Sequence, residues 1–216
     1  MIADTTAPVG PFERLFARAN PRALDRMEQI LITLLFAWMV YRVLGSANIY
    51  APLLLISEAA VVIFTLIRRP TSEISLRLGD WLLALTATAA PLLIHPGPDS
   101  FHAIAPLGVG LILFGNACQG LAKLSLRRSF GIAPANRGIE AGGLYRYVRH
   151  PMYAGYLAVH IGVLILMPSV FNFAIYAIGW SAQILRLQAE ETLLTRDPAY
   201  VAFKERVRYR LIPGLI

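Results

Sequence analysis

Six apolar runs separated by short polar connections constrain this chain more than any other feature. They fall at roughly 30–47, 50–67, 80–95, 104–122, 152–168 and 170–187. About 20 apolar residues in a helix cross a hydrocarbon core of about 30 Å, so the expected fold is all-α, a polytopic transmembrane bundle with about six membrane segments. The third and fifth runs are short and carry proline or polar residues, which suits a tilted, kinked or re-entrant segment. Of all residues 15% are charged and 56% hydrophobic, against about 25% charged in a soluble domain. No linker divides the chain, which reads as one structural domain. It comprises an interfacial segment over 1–28, transmembrane segments over 29–103 and a core over 104–216.

The cations sort by connection. Arg14, Arg18, Arg22 and Arg26 precede the first run, and Arg68, Arg69 and Arg77 follow the second. Lys123, Arg127, Arg128, Arg137, Arg146 and Arg149 lie between the fourth and fifth, and the tail from Arg186 onward carries the rest. The other three connections contain neither Lys nor Arg, apart from Arg42 near the end of the first run. Lys and Arg in short loops favour the cytoplasmic side, so both termini are expected there, in an inner or cytoplasmic membrane. A net charge of +7 distributed in this way is no single basic patch, and nucleic acid is not an expected partner. The opening residues lack an apolar run with a small-residue cleavage site, so no cleaved signal is expected. Instead Phe12, Leu15 and Phe16 alternate with Arg at helical spacing, as in a segment lying on a membrane surface. The single cysteine, Cys118, excludes an intrachain disulfide and a multi-cysteine metal cluster; no metal site is expected.

Two stretches carry chemistry. YRYVRHPMYAGY, residues 145–156, places cations and tyrosines at the start of the fifth run. Pro151 suits the first turn of a helix, and Tyr153 and Tyr156 suit a membrane interface. His150, between Arg149 and Pro151, adds nothing to such anchoring. RLQAEETLLTRDPAYVAFKERVRYRLIPG, residues 186–214, continues the last run and breaks at Asp197 and Pro198. Glu190 stands four residues after Arg186, a spacing that permits an intrahelical pair. Adjacent helical positions point about 100° apart, so Glu191 needs another partner. A ligand with a cationic and an anionic end would use the acids and the arginines together.

RHPMYAG at 149–155, then EETLL and a tail ending YRLIPG, resemble the isoprenylcysteine carboxyl methyltransferase and phospholipid methyltransferase superfamily over roughly 104–216. The resemblance implies an integral membrane enzyme that uses S-adenosylmethionine. It implies that His150 and Tyr153 contact this cofactor and that Glu190 or Glu191 receives its ammonium or ribose. Arg149 is a candidate for the cofactor carboxylate, and Tyr153 for the sulfonium. Gly108 and Gly110 in APLGVGLILFG resemble the GxG of phospholipid methylators, although small residues in a span also serve close helix packing. Phe203 stands where relatives often have a second tyrosine. Arg186 is a candidate to orient an acidic, lipophilic acceptor, with Tyr153 beside it at the reacting centre; pairing of Arg186 with Glu190 is the alternative. His95, His102 and His160 read as structural.

Two rival functions remain at this level. A membrane sterol or enone reductase would use the SFGI loop, Ser129 to Ile132, with Arg127, Arg128 and Arg137 on NADPH phosphates. Two adjacent acids would repel that polyanion. A small transporter would rest on Glu58 inside the second run, but the chain shows none of the internal repeats such folds often carry.

Overall fold

The structure, a computed structural model, describes residues 20–68, 75, 77–97, 103–126, 129–136 and 138–214. Of the interfacial segment expected over 1–28, the part before residue 20 lies outside the described residues, as do Arg69, His102, Arg127, Arg128 and Arg137, and residues 21–28 open the first helix. Among the described residues seven α-helices follow one another: α1 (Pro21–Leu44), α2 (Leu53–Ile67), α3 (Leu78–Leu92), α4 (Ala105–Leu126), α5 (Pro151–Leu166), α6 (Val170–Leu194) and α7 (Pro198–Arg206). A short 3-10 turn, Gly143–Arg146, precedes α5. Among the described residues there is no β-strand.

Each of the six apolar runs is a helix, and local chemistry sets several boundaries. Pro21, Pro151 and Pro198 open α1, α5 and α7, where the missing proline N–H costs nothing. The side chains of Asn20, Ser169 and Asp197 accept from the amides of Arg22, Asn172 and Ala199 and cap α1, α6 and α7. The break expected at Asp197 and Pro198 is therefore the cap of a new helix.

The architecture is that of a helical membrane protein. α1 and α4 are long and apolar enough to cross a bilayer, whereas α2, α3 and α5 are apolar but shorter. The 16 residues of α5 rise only about 24 Å at 1.5 Å per residue. Large apolar side chains such as Leu34, Ile63, Phe114 and Phe173 are exposed on the outer faces of α1, α2, α4 and α6, the kind of contiguous apolar surface that marks an interaction with lipid or another partner.

The helices that place the chemistry, α4 and α5, run antiparallel at backbone contact. A Cβ at Gly115 would lie 2.5 Å from the Gly155 carbonyl oxygen, and one at Gly162 would lie 2.5 Å from that of Gly108. Gly108 also receives Leu166, whereas nothing lies within 4 Å of the corresponding position at Gly110. Gly155 belongs to RHPMYAG, so part of that motif fixes the seat of α5 on α4.

Several cations assigned to the polar connections are interior instead. Arg68 is 4% exposed and its Nη2 donates to Asp25 Oδ1 and Glu28 Oε2, both at 2.6 Å. Lys123, at 0% exposure, lies within α4 and donates to Gln119 Oε1 at 3.0 Å; Gln119 donates to Ser57, and Ser57 to Asn116. Arg42 is half-buried, with its guanidinium over Trp38 at 4.7 Å and Nη2 2.9 Å from His95 Nδ1, so α1 is tied to the end of α3. Pairing or hydrogen bonding compensates such burial, because an unpaired buried charge is strongly unfavourable.

Gly162→Ala forces a methyl group onto a backbone oxygen and is expected to cost about 1–3 kcal/mol, the usual range for overpacking. Gly110→Ala, with open space around it, is expected to leave the melting temperature unchanged or slightly higher. Equal melting temperatures for the two variants would contradict the glycine contact.

Candidate active site

Arg149 and His150 precede α5, and the chain's last described segment docks on them. The amide of Arg149 donates to the Tyr209 carbonyl at 2.9 Å and that of His150 to the Arg210 carbonyl at 2.8 Å. Two consecutive backbone bonds thus seat the YRLIPG tail against the RHP sequence. Side chains close the same junction around Glu191. Its Oε1 accepts from Arg149 Nε at 2.9 Å and from His150 Nε2 at 3.2 Å, while Oε2 accepts from Arg210 Nη2 at 3.0 Å. A carboxylate only accepts, so the His150 hydrogen in this contact resides on Nε2. Burial alone would push the Glu191 carboxyl up. The hydrogen bond and charge of His150, the hydrogen bond of Arg210 and the charge of Arg149 outweigh it, lowering the group from 4.5 to about 2.

Glu190 points elsewhere, as the helical offset requires. Its Oε2 accepts from the Tyr153 hydroxyl at 2.8 Å. Tyr153 is buried, meets the His150 ring edge-on at 5.4 Å, and lies under the Arg186 guanidinium at 5.6 Å. Arg186, 5% exposed, donates from Nη2 to the Gly131 carbonyl at 3.2 Å, and its Nε has no partner. The two adjacent acids have separate tasks: Glu191 fastens the tail to the motif, and Glu190 faces a cleft.

That cleft is lined by Arg149, His150, Tyr153, Glu190, Tyr200 and Phe203, together with residues from 129–135 and 138–140. An inner cavity of about 70 Å³ lies within about 710 Å³ of unfilled space, part of it open to solvent. Its wall is pinned at several points. Ala133 N donates to Glu28 Oε1 at 3.1 Å, Ser75 N to the Pro134 carbonyl at 2.9 Å, and Asn136 Nδ2 to Asp197 Oδ2 at 2.9 Å. The Tyr200 hydroxyl is buried without a hydrogen-bond partner. Burial, with Glu191 and Glu190 nearby, pushes its pKa up, so the group stays a neutral phenol.

Of the residues singled out from sequence, the structure brings together Arg149, His150, Tyr153, Arg186, Glu190 and Glu191. Gly108 and Gly110 are not among them. Gly108 packs against Leu166 at the far end of α5, and Gly110 borders open space; of the two sequence readings for the glycines, the structure displays helix packing at Gly108. Arg210, Tyr200 and Glu28 were not singled out. Arg210 stands within the recognised YRLIPG, where its neighbours offered a signal. Glu28 contributes through a contact 105 positions away in the chain, which no local pattern encodes.

The phospholipid methyltransferase family profile matches residues 104–197. Over 134 aligned positions the chain is 24% identical to protein-S-isoprenylcysteine O-methyltransferase A of Arabidopsis thaliana, covering 58% of this chain and 68% of that protein. Over these residues the chain is similar to the isoprenylcysteine carboxyl methyltransferases and phospholipid methyltransferases.

The clasp has a pH signature. The depressed Glu191 pKa contributes stability that is fully present above about pH 4.5 and is lost as pH falls toward 2. Wild-type protein is expected to lose melting temperature across that window, and Glu191→Gln to melt lower at pH 7 with a flatter acid limb. Parallel acid limbs in the two proteins would contradict the assignment.

Proposed function

We propose that the protein transfers a methyl group from S-adenosylmethionine to a lipophilic acceptor at the cytoplasmic interface of the membrane, most like a carboxyl O-methyltransferase of the isoprenylcysteine type. The observation that carries this reading is the cleft itself. A carboxylate, a histidine, buried phenols and a cation converge in a polar recess on helices whose outer faces are apolar. When bound, S-adenosylmethionine supplies an electrophilic methyl on a sulfonium centre. The donor set suits its charged end. Glu190 receives the ammonium or a ribose hydroxyl, the unpartnered Tyr200 hydroxyl meets a polar atom, and Tyr153 presents an aromatic face to positive charge. Glu191, already gripped by three cationic or imidazole groups, acts by holding Arg149 and His150 in place.

A carboxylate acceptor attacks without a base, so the chain has to position rather than deprotonate it, and orientation supplies much of the acceleration in such reactions. Arg186 orients the acceptor's acid and Tyr153 separates it from water. Six crossings with both ends cytoplasmic would put the cleft where a cytosolic cofactor meets a membrane-dissolved acceptor.

Glu190→Gln is expected to weaken S-adenosylmethionine binding by about tenfold or more, the loss of one charged hydrogen bond worth about 1.5–3 kcal/mol. Purified protein with tritiated S-adenosylmethionine and a total membrane extract is expected to label an organic-soluble species. Label confined to water-soluble acceptors would overturn the lipophilic assignment. For topology, an epitope inserted at residues 95–99 is expected to be cleaved by external protease in intact cells; protection there, with both termini also protected, would contradict the six crossings.

A further inference from the structure

Part of the cleft lining offers little besides main chain. Gly131, Ala133 and Ala135 line the cleft, whereas the alternate residues Phe130 and Ile132 are buried in the apolar core. What a ligand meets along this stretch therefore depends on where its backbone lies. Two charged side chains from different helices hold that backbone. Arg186 Nη2 of α6 donates to the Gly131 carbonyl at 3.2 Å, and the Ala133 amide donates to Glu28 Oε1 of α1 at 3.1 Å. The Glu28 charge also acts on Arg186.

Glu28 is itself fixed at both oxygens. It is 1% exposed, and its Oε2 accepts at 2.6 Å from Arg68, whose buried guanidinium is shared with Asp25. The neighbouring Gln29 donates from Nε2 to the Thr65 carbonyl at 3.0 Å and ties α1 to α2 beside the pair. A buried ion pair is a poor source of net stability, because apolar residues of similar volume often serve a fold equally well. No apolar residue could receive the Ala133 amide, however, and a buried amide needs an acceptor. What the charged pair adds is the location of that acceptor.

We propose that Glu28 is a positioning residue for the cleft: gripped by Arg68, its carboxylate sets the backbone at Ala133 and, with Arg186 at Gly131, fixes the face that a bound ligand meets. On the methyl-transfer reading, on which this consequence rests, that ligand is S-adenosylmethionine. Glu28 and Arg68 both lie outside the profile-matched residues 104–197. The affinity of the cleft is thus set in part from helices that carry neither of the two chemical stretches.

Two double variants of the full-length protein separate the acceptor from the charge. Arg68→Met with Glu28→Gln is neutral and keeps a carbonyl oxygen within reach of Ala133; Arg68→Met with Glu28→Met is neutral, of similar size, and keeps none. Titration calorimetry with S-adenosylhomocysteine reads affinity and number of sites separately, and deuterium exchange over residues 129–136 reports the Ala133 amide. The Gln variant is expected to bind within about threefold of the wild type and the Met variant about tenfold or more weakly, as misplacement of a binding surface entails. The Met variant is also expected to keep its number of sites and to exchange faster over that stretch. A role in stability alone would lower the number of sites and leave the dissociation constant unchanged; that result overturns the proposal, as do equal affinities or equal exchange in the two variants. Should neither double variant fold, Glu28→Asp decides, since it keeps the charge and withdraws it by one methylene: weakened binding supports the proposal and wild-type affinity overturns it. Wild-type protein that binds no S-adenosylhomocysteine, with the exchange difference between the variants present, would refute the methyl-transfer reading and leave the placement of the wall by Glu28 standing.

Discussion

The grip of three nitrogen-bearing side chains on Glu191 is the interaction on which the site depends. It joins segments that are remote in sequence: the residues before α5, the end of α6 and the tail beyond α7. The paired backbone bonds from Arg149 and His150 to Tyr209 and Arg210 run beside it. Removing one partner from a buried ion pair is far more costly than the pair is stabilising, so this junction holds its geometry as a unit. With the junction closed, Tyr200 and Phe203 of α7 face Tyr153 and Glu190 across the cleft.

A second constraint acts from below. α4 and α5 approach so closely at Gly115 and Gly162 that α5 cannot shift without backbone collision. The His150–Tyr153 turn is therefore presented from a fixed base. The opposite wall, residues 129–136, is held by α1 through Glu28, by α6 through Arg186 and by Asp197 at the cap of α7. Glu28 in turn shares Arg68 with Asp25. The N-terminal helices, which contain no recognised motif, thus shape the site through buried charge.

Much of the helical layout was legible in the sequence because apolar runs, prolines and capping residues are local signals. Pro151 opens α5 and Asp197 with Pro198 starts α7, as their chemistry dictates. The two chemical stretches were legible as well, and the 100° offset between Glu190 and Glu191 separated their roles in principle. Which acid faces the cleft was not legible, since the docked tail decides it and tail docking is a long-range event. Charge sorting also overstated the surface. Arg68, Lys123, Arg149 and Arg186 read as membrane-flanking cations, yet each is buried with partners contributed by other helices or, for Lys123, by its own helix. A cation at the edge of an apolar run looks the same in sequence whether it turns toward water or into the bundle.

The account's central claim is that the cleft beside Glu190 and Tyr153 is built for a sulfonium nucleoside carrying an ammonium, and not for a polyanionic nucleotide. Titration calorimetry of the purified full-length protein with S-adenosylhomocysteine and, separately, with NADPH tests it directly. Saturable binding of S-adenosylhomocysteine at one site per chain, with no binding of NADPH, is the predicted result. Saturable binding of NADPH with none of S-adenosylhomocysteine would contradict the account.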